Sequence, residues 1–396
     1  MNKKPRWTSL KTGAIVWGGH FHALGLVRQL AAADIPVVVL DHEPCISRFS
    51  KYTKRFIRSP RGDDTDRCLQ FFRDLAVRQG FEQWVVFPSD DEGLYFLSRQ
   101  KQELEHHFRI TTPDWETVQY TYDKRLTYSK ASSIDLPVPK TFIPKNREDV
   151  LNLDWEFPLI LKPAIMRTFK ARTGRKVLRI SSRGDLIRLY DYACTCIPCD
   201  EILIQDEIPQ AYKHLYSYCP WFKEGRTRAC VIGRRPRQHP MEFGHASTYA
   251  VTADIPELER LGARFLRFID FYGICEVEFL YDIRDGRYKM LEVNPRIWGW
   301  HTLAEAAGMP LGYFLYMDQT GTLVEKTKYA ADRKWMRLLT DIPTSVSAVL
   351  SGKISVTDYC KSLRGEKSFA VFSKEDPLPF LAELLMLPYL WKKRGF

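Results

Sequence analysis

The chain has 396 residues, of which 45% are hydrophobic and 27% are charged, a composition typical of a globular protein with two or three domains. No apolar run reaches the roughly 18 residues that a membrane span needs, and the first residues lack an apolar signal core, so we expect a cytoplasmic protein. The net charge of +11 suits an anionic partner such as a nucleotide, a phosphate, an acidic substrate or a lipid surface.

The first hundred residues alternate buried strands with a helical pattern. Apolar runs at 13–17, 36–41 and 84–90 predict strands, and a helical spacing separates the first two. This order predicts a parallel α/β unit. The glycines of the first turn, in "WGGHFHALG", do not have the dinucleotide-binding spacing, so a scaffold or substrate-facing loop is favoured over an NAD site.

The middle of the chain combines short strands with basic residues. A helix opens at Lys124, "FPLILKPA" at 157–164 predicts a strand that ends in Lys162, and "EILIQDEIP" at 201–209 predicts another strand. The polar segment "AIMRTFKARTGRK" that follows Lys162 predicts a flexible basic loop. A single lysine at the edge of a core more often reaches out to solvent than carries a function.

Residues 274–296 predict an antiparallel hairpin around an Asp-Gly turn. Because side chains alternate along a strand, Glu292 and Asn294 share one face, and Glu278 can join them from the partner strand. Three oxygen donors of this kind suit Mg²⁺, whereas the alternative is a pair of ordinary surface acids. Combined with Lys124 and Lys162, the hairpin could hold a triphosphate, with cations on the phosphates and a metal between them.

Four segments in the expected order resemble the ATP-grasp enzymes, in particular the carboxylate–amine ligase branch that includes D-aspartate ligase-like proteins. They are "DKRLTYSKASSIDLPVPKTF", "FPLILKPA", "EILIQDEIP" and "GICEVEFLYDIRDGRYKMLEVNPRIWGWHTLAEAAGMPL", and the resemblance covers most of residues 13–325. It implies an α/β chain with an ATP-grasp fold preceded by a small parallel, Rossmann-like pre-ATP-grasp domain. The implied parts are the pre-ATP-grasp domain at 1–110, the two halves of the ATP-grasp region at 111–200 and 201–325, and a C-terminal extension at 326–396.

The resemblance also implies a role for each matching residue. Lys124 and Lys162 would contact the ATP phosphates, and Arg296 would stabilise the carboxylate or the acyl-phosphate intermediate. Adenine would be held by the linker and by a leucine beneath the ring, and the hairpin would bind Mg²⁺, with Mn²⁺ as an alternative metal. The adenine residues are Gln205, Asp206, Glu207, Ile208 and Leu280, and the metal ligands are Glu278, Glu292 and Asn294.

Two segments carry weaker expectations about the substrate. The loop after Lys162 is usually glycine-rich in this superfamily but is basic here, so Lys170 and Arg172 are only weak candidates for anion contacts. The segment "CVIGRRPRQHPMEFGHASTYA" resembles one in the ligase branch whose arginines would line the cleft. Arg237 and Gln238 are the favoured substrate-side pair, and a solvated basic strand is the alternative.

The implied activity is an ATP-dependent ligation of a carboxylate to an amine through an acyl phosphate. The carboxylate would be a small molecule or a cell-envelope precursor, and no nucleic acid is expected as a partner. Alternatives are a biotin-carboxylase-like carboxylation, a non-catalytic nucleotide-binding protein and an NAD-dependent oxidoreductase that uses residues 13–41.

Two further features of the sequence leave alternatives open. The nine cysteines look like reduced thiols, and "CTCIPC" has metal-like spacing but lacks an obvious fourth ligand for Cys194, Cys196 and Cys199. The tail at 377–396, "PLPFLAELLMLPYLWKKRGF", is too short and interrupted to cross a bilayer. It predicts either a docked C-terminal helix or an interfacial anchor that contacts a membrane from the cytoplasmic side.

Overall fold

The computed structural model describes residues 12–244 and 246–394, and a five-stranded parallel sheet organises the first part. Its strands are β1 Ala14–Trp17, β2 Val37–Asp41, β3 Thr53–Arg58, β4 Val85–Pro88 and β5 Arg109–Ile110, and its helices are α1 Phe21–Ala31, α2 Thr65–Gln79, α3 Asp91–Arg99 and α4 Lys101–Leu104. The strand order is β3-β2-β1-β4-β5. The parallel α/β unit predicted from the sequence is therefore confirmed.

Helices cover both faces of this sheet. Along β1, Ala14 and Val16 pack in the same core as α1, whereas Ile15 and Trp17 face the core that contains Phe72 of α2. A strand with both faces covered is buried throughout, which is why β1 reads as an unbroken apolar run. The carboxyl ends of β1, β2 and β4 thus carry the polar turns of this sheet.

A small antiparallel sheet forms the second part. It contains β6 Thr141–Phe142, β7 Leu159–Pro163, β8 Leu178–Ile180 and β9 Ile202–Asp206, and its helices are α5 Trp115–Tyr122, α6 Lys124–Ser133, α7 Arg147–Leu151, α8 Met166–Thr173 and α9 Arg183–Cys196. The strand order is β6-β9-β7-β8. The prediction of a loop after Lys162 is wrong for residues 166–173, which form α8, because this segment contains no proline or glycine to prevent a helix. Gly174 ends the helix in a left-handed conformation, with φ 69°.

An eight-stranded sheet forms the third part. Its strands are β10 Leu215–Lys223, β11 Arg226–His239, β12 Ala246–Thr252, β13 Gly273–Ile274, β14 Glu276–Asp282, β15 Arg287–Asn294, β16 Lys334–Met336 and β17 Lys367–Phe369. The order is β15-β14-β10-β11-β12-β16-β17, with β13 paired to β10. The predicted hairpin is confirmed as β14 and β15, in which Glu278 lies opposite Glu292. The last two strands show that residues beyond 326 extend this sheet.

The remaining helices pack around the third sheet and the chain's C-terminal part. They are α10 Pro256–Phe268, α11 Thr302–Ala306, α12 Leu311–Gln319, α13 Leu338–Leu350, α14 Val356–Ser362, α15 Leu378–Leu385 and α16 Leu387–Arg394. One hydrophobic core joins the first sheet to the third, since Val16 of β1, Trp221 of β10 and Trp335 of β16 belong to the same cluster. None of the described helices is both long and apolar enough to cross a bilayer.

Candidate active site between the second and third sheets

Lys162 is buried at the end of β7 and is connected to the third sheet by a short hydrogen-bond chain. Its Nζ donates to the hydroxyl of Tyr128 at 2.6 Å, and that hydroxyl donates to the carbonyl of Leu291 at 2.8 Å. Leu291 is the residue left unpaired where the register between β14 and β15 shifts. A bulge therefore supplies the free carbonyl that orients Tyr128, which in turn orients Lys162.

Lys124 begins α6 and forms an ion pair with Glu292 of β15, with Nζ and Oε2 3.1 Å apart. Burial favours the neutral amine, but Glu292, Tyr128 and Asp91 together outweigh it and raise the pKa of Lys124. Burial likewise opposes ionisation of Glu292, yet Lys124 and Lys176 hold the pKa of this carboxyl well below its usual range. Glu292 is thus a carboxylate at neutral pH.

Lys162 has the opposite electrostatic character. It is only 7% exposed, and Tyr128 is its hydrogen-bond partner. Burial, followed by the positive charge of Lys124, lowers the pKa of Lys162 to about 7. A polyanion such as a triphosphate would favour the charged form, so this lysine is suited to meet phosphate oxygens.

The face of β14 beside Glu292 contains two more glutamates and a buried arginine. Arg235 of β11 donates to Glu278 at 2.5 Å and lies 3.6 Å from Glu276. Glu276 accepts hydrogen bonds from Ser217 and Trp300, each at 2.9 Å. Burial, followed by the neighbouring charge of Glu278, raises the pKa of Glu276 to about 7.

These residues can supply oxygen ligands to a magnesium ion. Glu278 and Glu292 are direct cross-strand partners, and the amide nitrogen of Asn294 donates to Glu278 at 3.0 Å, which leaves the amide oxygen of Asn294 as an acceptor. Mg²⁺ binds with one or two carboxylates and completes its shell with waters and phosphate oxygens, which this set allows. In the described residues, no group of three or more His, Cys, Asp or Glu side chains is arranged to hold a metal by itself.

Four of the five predicted adenine residues lie on β9 and on the short segment after it, and the fifth, Leu280, lies on β14. Ile208 and Leu280 pack in one small cluster with Leu215, so the predicted apolar contact brings the linker and β14 together. Three of the five use their side chains elsewhere: Gln205 donates to Thr141, Asp206 pairs with Arg284, and Glu207 pairs with Arg179. An adenine contact by this segment would therefore come from backbone groups, as the resemblance implies.

Arg296 lies just beyond β15 and meets the first sheet. Its Nε donates to Oδ1 of Asp91 at 2.5 Å, and its Nη1 donates to the carbonyl of Ile297 at 3.2 Å. Asp91 is the first residue of α3, immediately after the turn at the carboxyl end of β4. The predicted catalytic arginine is thus hydrogen-bonded to a residue of the helix that follows β4 of the first sheet.

Arg237 and Gln238 are not joined to this cluster by any described contact. Arg237 is buried and binds Asp341 of α13 through two hydrogen bonds of 2.8 and 2.9 Å, and it donates a third to Ser362. Gln238 donates to the carbonyl of Met241 at 3.0 Å. The structure thus gives both residues partners within the fold, and their substrate role stays a prediction.

The weak anion candidates Lys170 and Arg172 lie on α8. Arg172 donates to the carbonyl of Cys196 at 2.6 Å, and the contact of both residues with an anion stays a prediction.

The cysteines at the end of α9 are not all reduced thiols. Cys194 and Cys199 form a disulfide, so the expectation of reduced thiols is wrong for this pair. The two sulfurs are close because the chain turns back at the end of α9, while Cys196 is a buried free thiol.

Sequence reasoning missed four residues of this site. Glu276 could have been found, because it lies two positions before Glu278 and alternation places it on the same face. Tyr128, Lys176 and Asp91 carry no comparable signal, since their contacts with the site depend on how the three sheets pack against one another.

Known proteins resemble this chain in sequence and in fold. Residues 227–317 match the family model of the carbamoyl-phosphate synthase L chain, ATP-binding domain. The chain is 26% identical over 231 residues to D-aspartate ligase of Enterococcus faecium (strain Aus0004), a match that covers 54% of this chain and 53% of the ligase. The chain therefore spans about half the length of this curated relative.

Two solved structures show the same fold. The L-amino acid ligase from Bacillus licheniformis superposes with a TM-score of 0.63 and 14% identity, covering 80% of this chain and 76% of the ligase. The biotin carboxylase domain of Hydrogenobacter thermophilus 2-oxoglutarate carboxylase, in complex with MgADP, ADP and bicarbonate, gives a TM-score of 0.61 and 16% identity, covering 81% and 72%. The predicted fold class, an ATP-grasp fold preceded by a parallel α/β domain, is confirmed.

Proposed function

We propose that the chain, which has an ATP-grasp fold, is a ligase that joins a carboxylate to an amine while converting ATP to ADP and phosphate. The observation that carries this proposal is the convergence of Lys124, Lys162 and Glu292 from two different sheets. Cations for the phosphates and carboxylates for a metal then lie close together, as phosphoryl transfer requires. Two proteins that this chain resembles, D-aspartate ligase and L-amino acid ligase, are named as ligases, the same reaction class.

The proposed reaction has two steps. An oxygen of the substrate carboxylate attacks the γ-phosphorus of ATP, and the bond to the β–γ bridging oxygen breaks to release ADP. The nitrogen of the amine then attacks the carbonyl carbon of the acyl phosphate, phosphate leaves, and the amine loses a proton. Water must be excluded during these steps because it would hydrolyse the acyl phosphate.

Each residue of the cluster has a defined task in this proposal. Lys162 and Lys124 bind phosphate oxygens, and the segment Gln205–Ile208 with Leu280 holds adenine. Glu278, Glu292 and Asn294 hold Mg²⁺, which when bound neutralises phosphate charge. Arg296 binds the reacting carboxylate, and we propose that Asp91 fixes its orientation.

A second candidate is a biotin-carboxylase-like reaction in which bicarbonate is the carboxylate that is phosphorylated. The likeness to a biotin carboxylase domain bound to bicarbonate favours it, and the same cluster would serve both reactions. We place it second because the sequence match, which covers about half of D-aspartate ligase, favours the first candidate. A cell-envelope precursor as the carboxylate or the amine is a further proposal within the first candidate.

The test is a screen for ADP release over pairs of carboxylates and amines, with hydroxylamine present in parallel to trap the acyl phosphate as a hydroxamate. We expect ADP and hydroxamate with one carboxylate class, and amine-dependent ADP release with its partner. Bicarbonate-dependent ADP release that requires biotin would instead establish the second candidate. A protein that binds ATP but releases no ADP over the whole screen would contradict both.

A substitution at the metal site makes the screen specific. Glu292→Gln removes one charge with little change in volume, so ADP release should fall by several orders of magnitude while the protein stays folded. Glu375→Gln, at an exposed glutamate outside the cluster, serves as the matched control and should retain full activity. Near-normal Mg²⁺-dependent turnover in Glu292→Gln would show that the metal assignment is wrong.

A further inference from the structure

Helix α15 is docked on the protein by one side and exposes leucines on the other. Its residues Leu378, Leu381 and Leu385 are 56%, 50% and 84% exposed, and their spacing places them on one face of the helix. The opposite side is buried through Pro379 and Glu383. The helix therefore packs against the protein with one face and presents a second, apolar face to solvent. In a folded protein an exposed apolar face of this kind marks an interaction surface.

The turn that precedes β3 lies directly beside α15. The helix contacts the 3-10 turn Ser47–Phe49, and the phenyl ring of Phe49 is itself exposed. Asp376, two residues before the helix, joins the two segments: it accepts hydrogen bonds from Ser50 at 2.7 Å and from the backbone of Lys51 at 3.0 Å. Phe49 thus extends the apolar face onto the N-terminal sheet.

A row of cations continues from this turn along the edge of the first sheet. Residues 46–60 contain five basic residues and no acidic one, and β3 is the edge strand. All five side chains are exposed, and within the part of the chain that the structure describes none of them forms an ion pair. The five are Arg48, Lys51, Lys54, Arg55 and Arg58.

Two of the three acidic residues near α15 do not offset this charge, because the fold buries them, and the third, Glu375, is exposed beside Lys374. Asp376 is 1% exposed and is paired with Arg28, and Glu383 is buried and paired with Arg337. Lys374 and Lys392, which flank the two C-terminal helices, are exposed. Solvent therefore meets the leucines of α15 and a net positive charge on the turn that α15 contacts.

We propose that α15 and the basic edge form a lipid-facing surface that binds the headgroups of an anionic bilayer. The cations would hold the anionic headgroups, and the leucines of α15 with Phe49 would insert into the boundary between headgroups and acyl chains. A nucleic acid would use the cations but would leave the exposed leucines without a partner, which is why a lipid surface fits better. This inference is independent of the proposed ligase reaction.

Flotation with the full chain tests the surface, using vesicles of phosphatidylcholine alone and vesicles with equal parts of phosphatidylcholine and phosphatidylglycerol. The protein should float with the anionic vesicles and stay at the bottom with the neutral ones. Leu381→Ser/Leu385→Ser and Lys54→Glu/Arg55→Glu should each lower its recovery by about fivefold or more. Val77→Ser on α2, where the valine is 70% exposed, is the matched control and should float like the wild type.

Each alternative outcome contradicts the proposal. Absence of flotation, equal recovery with neutral vesicles, or equal recovery of the leucine variant and the wild type would each overturn it. A change in sedimentation mass of the leucine variant, without a change in flotation, would assign α15 to contact with a second copy of the chain. All substituted residues are exposed, so thermal unfolding of the variants should match the wild type and would reveal any misfolding.

Discussion

Arg296 and Asp91 are bonded to each other with Nε and Oδ1 2.5 Å apart, although they are 205 positions apart in the chain. Asp91 belongs to the first sheet's helix α3, and Arg296 directly follows the hairpin of the third sheet. The contact therefore joins the N-terminal domain to the proposed site of chemistry. We expect it to restrict the guanidinium to one orientation before any substrate arrives.

If Asp91 fixes the orientation of Arg296, removing the charge of Asp91 should selectively slow the reaction of the carboxylate substrate. We expect Asp91→Asn to lower kcat/KM for the carboxylate by about tenfold, because a misplaced cation stabilises the transition state less well. The KM for ATP should change less than kcat/KM, since Asp91 forms no described hydrogen bond with the residues proposed to bind nucleotide and acts on Lys124 only through its charge. Glu92→Gln at the neighbouring position is the control, and an equal loss in both variants would argue against the orienting role.

The residues of the hairpin could be predicted because their signal is local. Alternation along a strand and an Asp-Gly turn are enough to predict the hairpin and to place Glu292 and Asn294 on one face, whereas the pairing of Glu278 with Glu292 also depends on the bulge at Leu291. The same holds for Lys162, which ends an apolar strand. Such patterns depend only on neighbours in the sequence.

Contacts between distant segments could not be predicted in this way. Asp91 reaches Arg296, and Arg237 is held by Asp341, only because separate sheets and helices pack together. Neither aspartate differs in its local sequence from an ordinary helix-start residue. The partners of a side chain thus depend on tertiary packing, whereas its face on a strand depends on local sequence.

The unusual pKa of Lys162 should make nucleotide binding dependent on pH. In the free protein, burial and then the charge of Lys124 lower this pKa to about 7, so the amine is mostly neutral at pH 8. Bound phosphates favour the ammonium form and raise the pKa, so binding at pH 8 should take up a proton. Above pH 7 the affinity should fall by up to about tenfold per pH unit until the pKa of the complex is reached.

Titration calorimetry in buffers of different ionisation enthalpy measures this proton uptake directly. Lys162→Ala should abolish the uptake and weaken binding, and its affinity should lose most of the dependence on pH. Lys145→Ala, at an exposed lysine of the same region, should behave like the wild type. Proton uptake that persists in Lys162→Ala would assign the titration to another group of the cleft.

Asp376 should be a principal stabilising contact between the C-terminal helices and the N-terminal sheet. Its carboxylate is buried and accepts hydrogen bonds from Arg28, Ser50 and the backbone of Lys51. Asp376→Ala leaves the arginine without its charge partner, and we expect a loss of about 3–5 kcal/mol in unfolding free energy. Glu375→Ala, at the exposed neighbour, should change the unfolding free energy by less than about 0.5 kcal/mol. An equal effect of Asp376→Ala and Glu375→Ala in thermal unfolding would contradict this assignment.

Arg237 allows a stabilising role to be distinguished from contact with substrate. It is 3% exposed, binds both carboxylate oxygens of Asp341 and stacks against Tyr249, so its donors are used within the fold. We expect Arg237→Met to lower the unfolding free energy by about 3–5 kcal/mol, because the carboxylate of Asp341, which is fully buried, loses its compensating charge.

The neighbouring Arg234 is exposed and provides the matched control for this experiment. Arg234→Met should leave the unfolding free energy within about 0.5 kcal/mol of the wild type, since an exposed arginine loses little by substitution. Asp341→Asn should destabilise the protein in the same direction as Arg237→Met, because each variant breaks the same pair. A different result, in which Arg237→Met unfolds like the wild type but has a raised KM for the carboxylate, would instead establish Arg237 as a substrate ligand. The two roles thus separate cleanly, because a buried ion pair affects unfolding and a substrate contact affects KM.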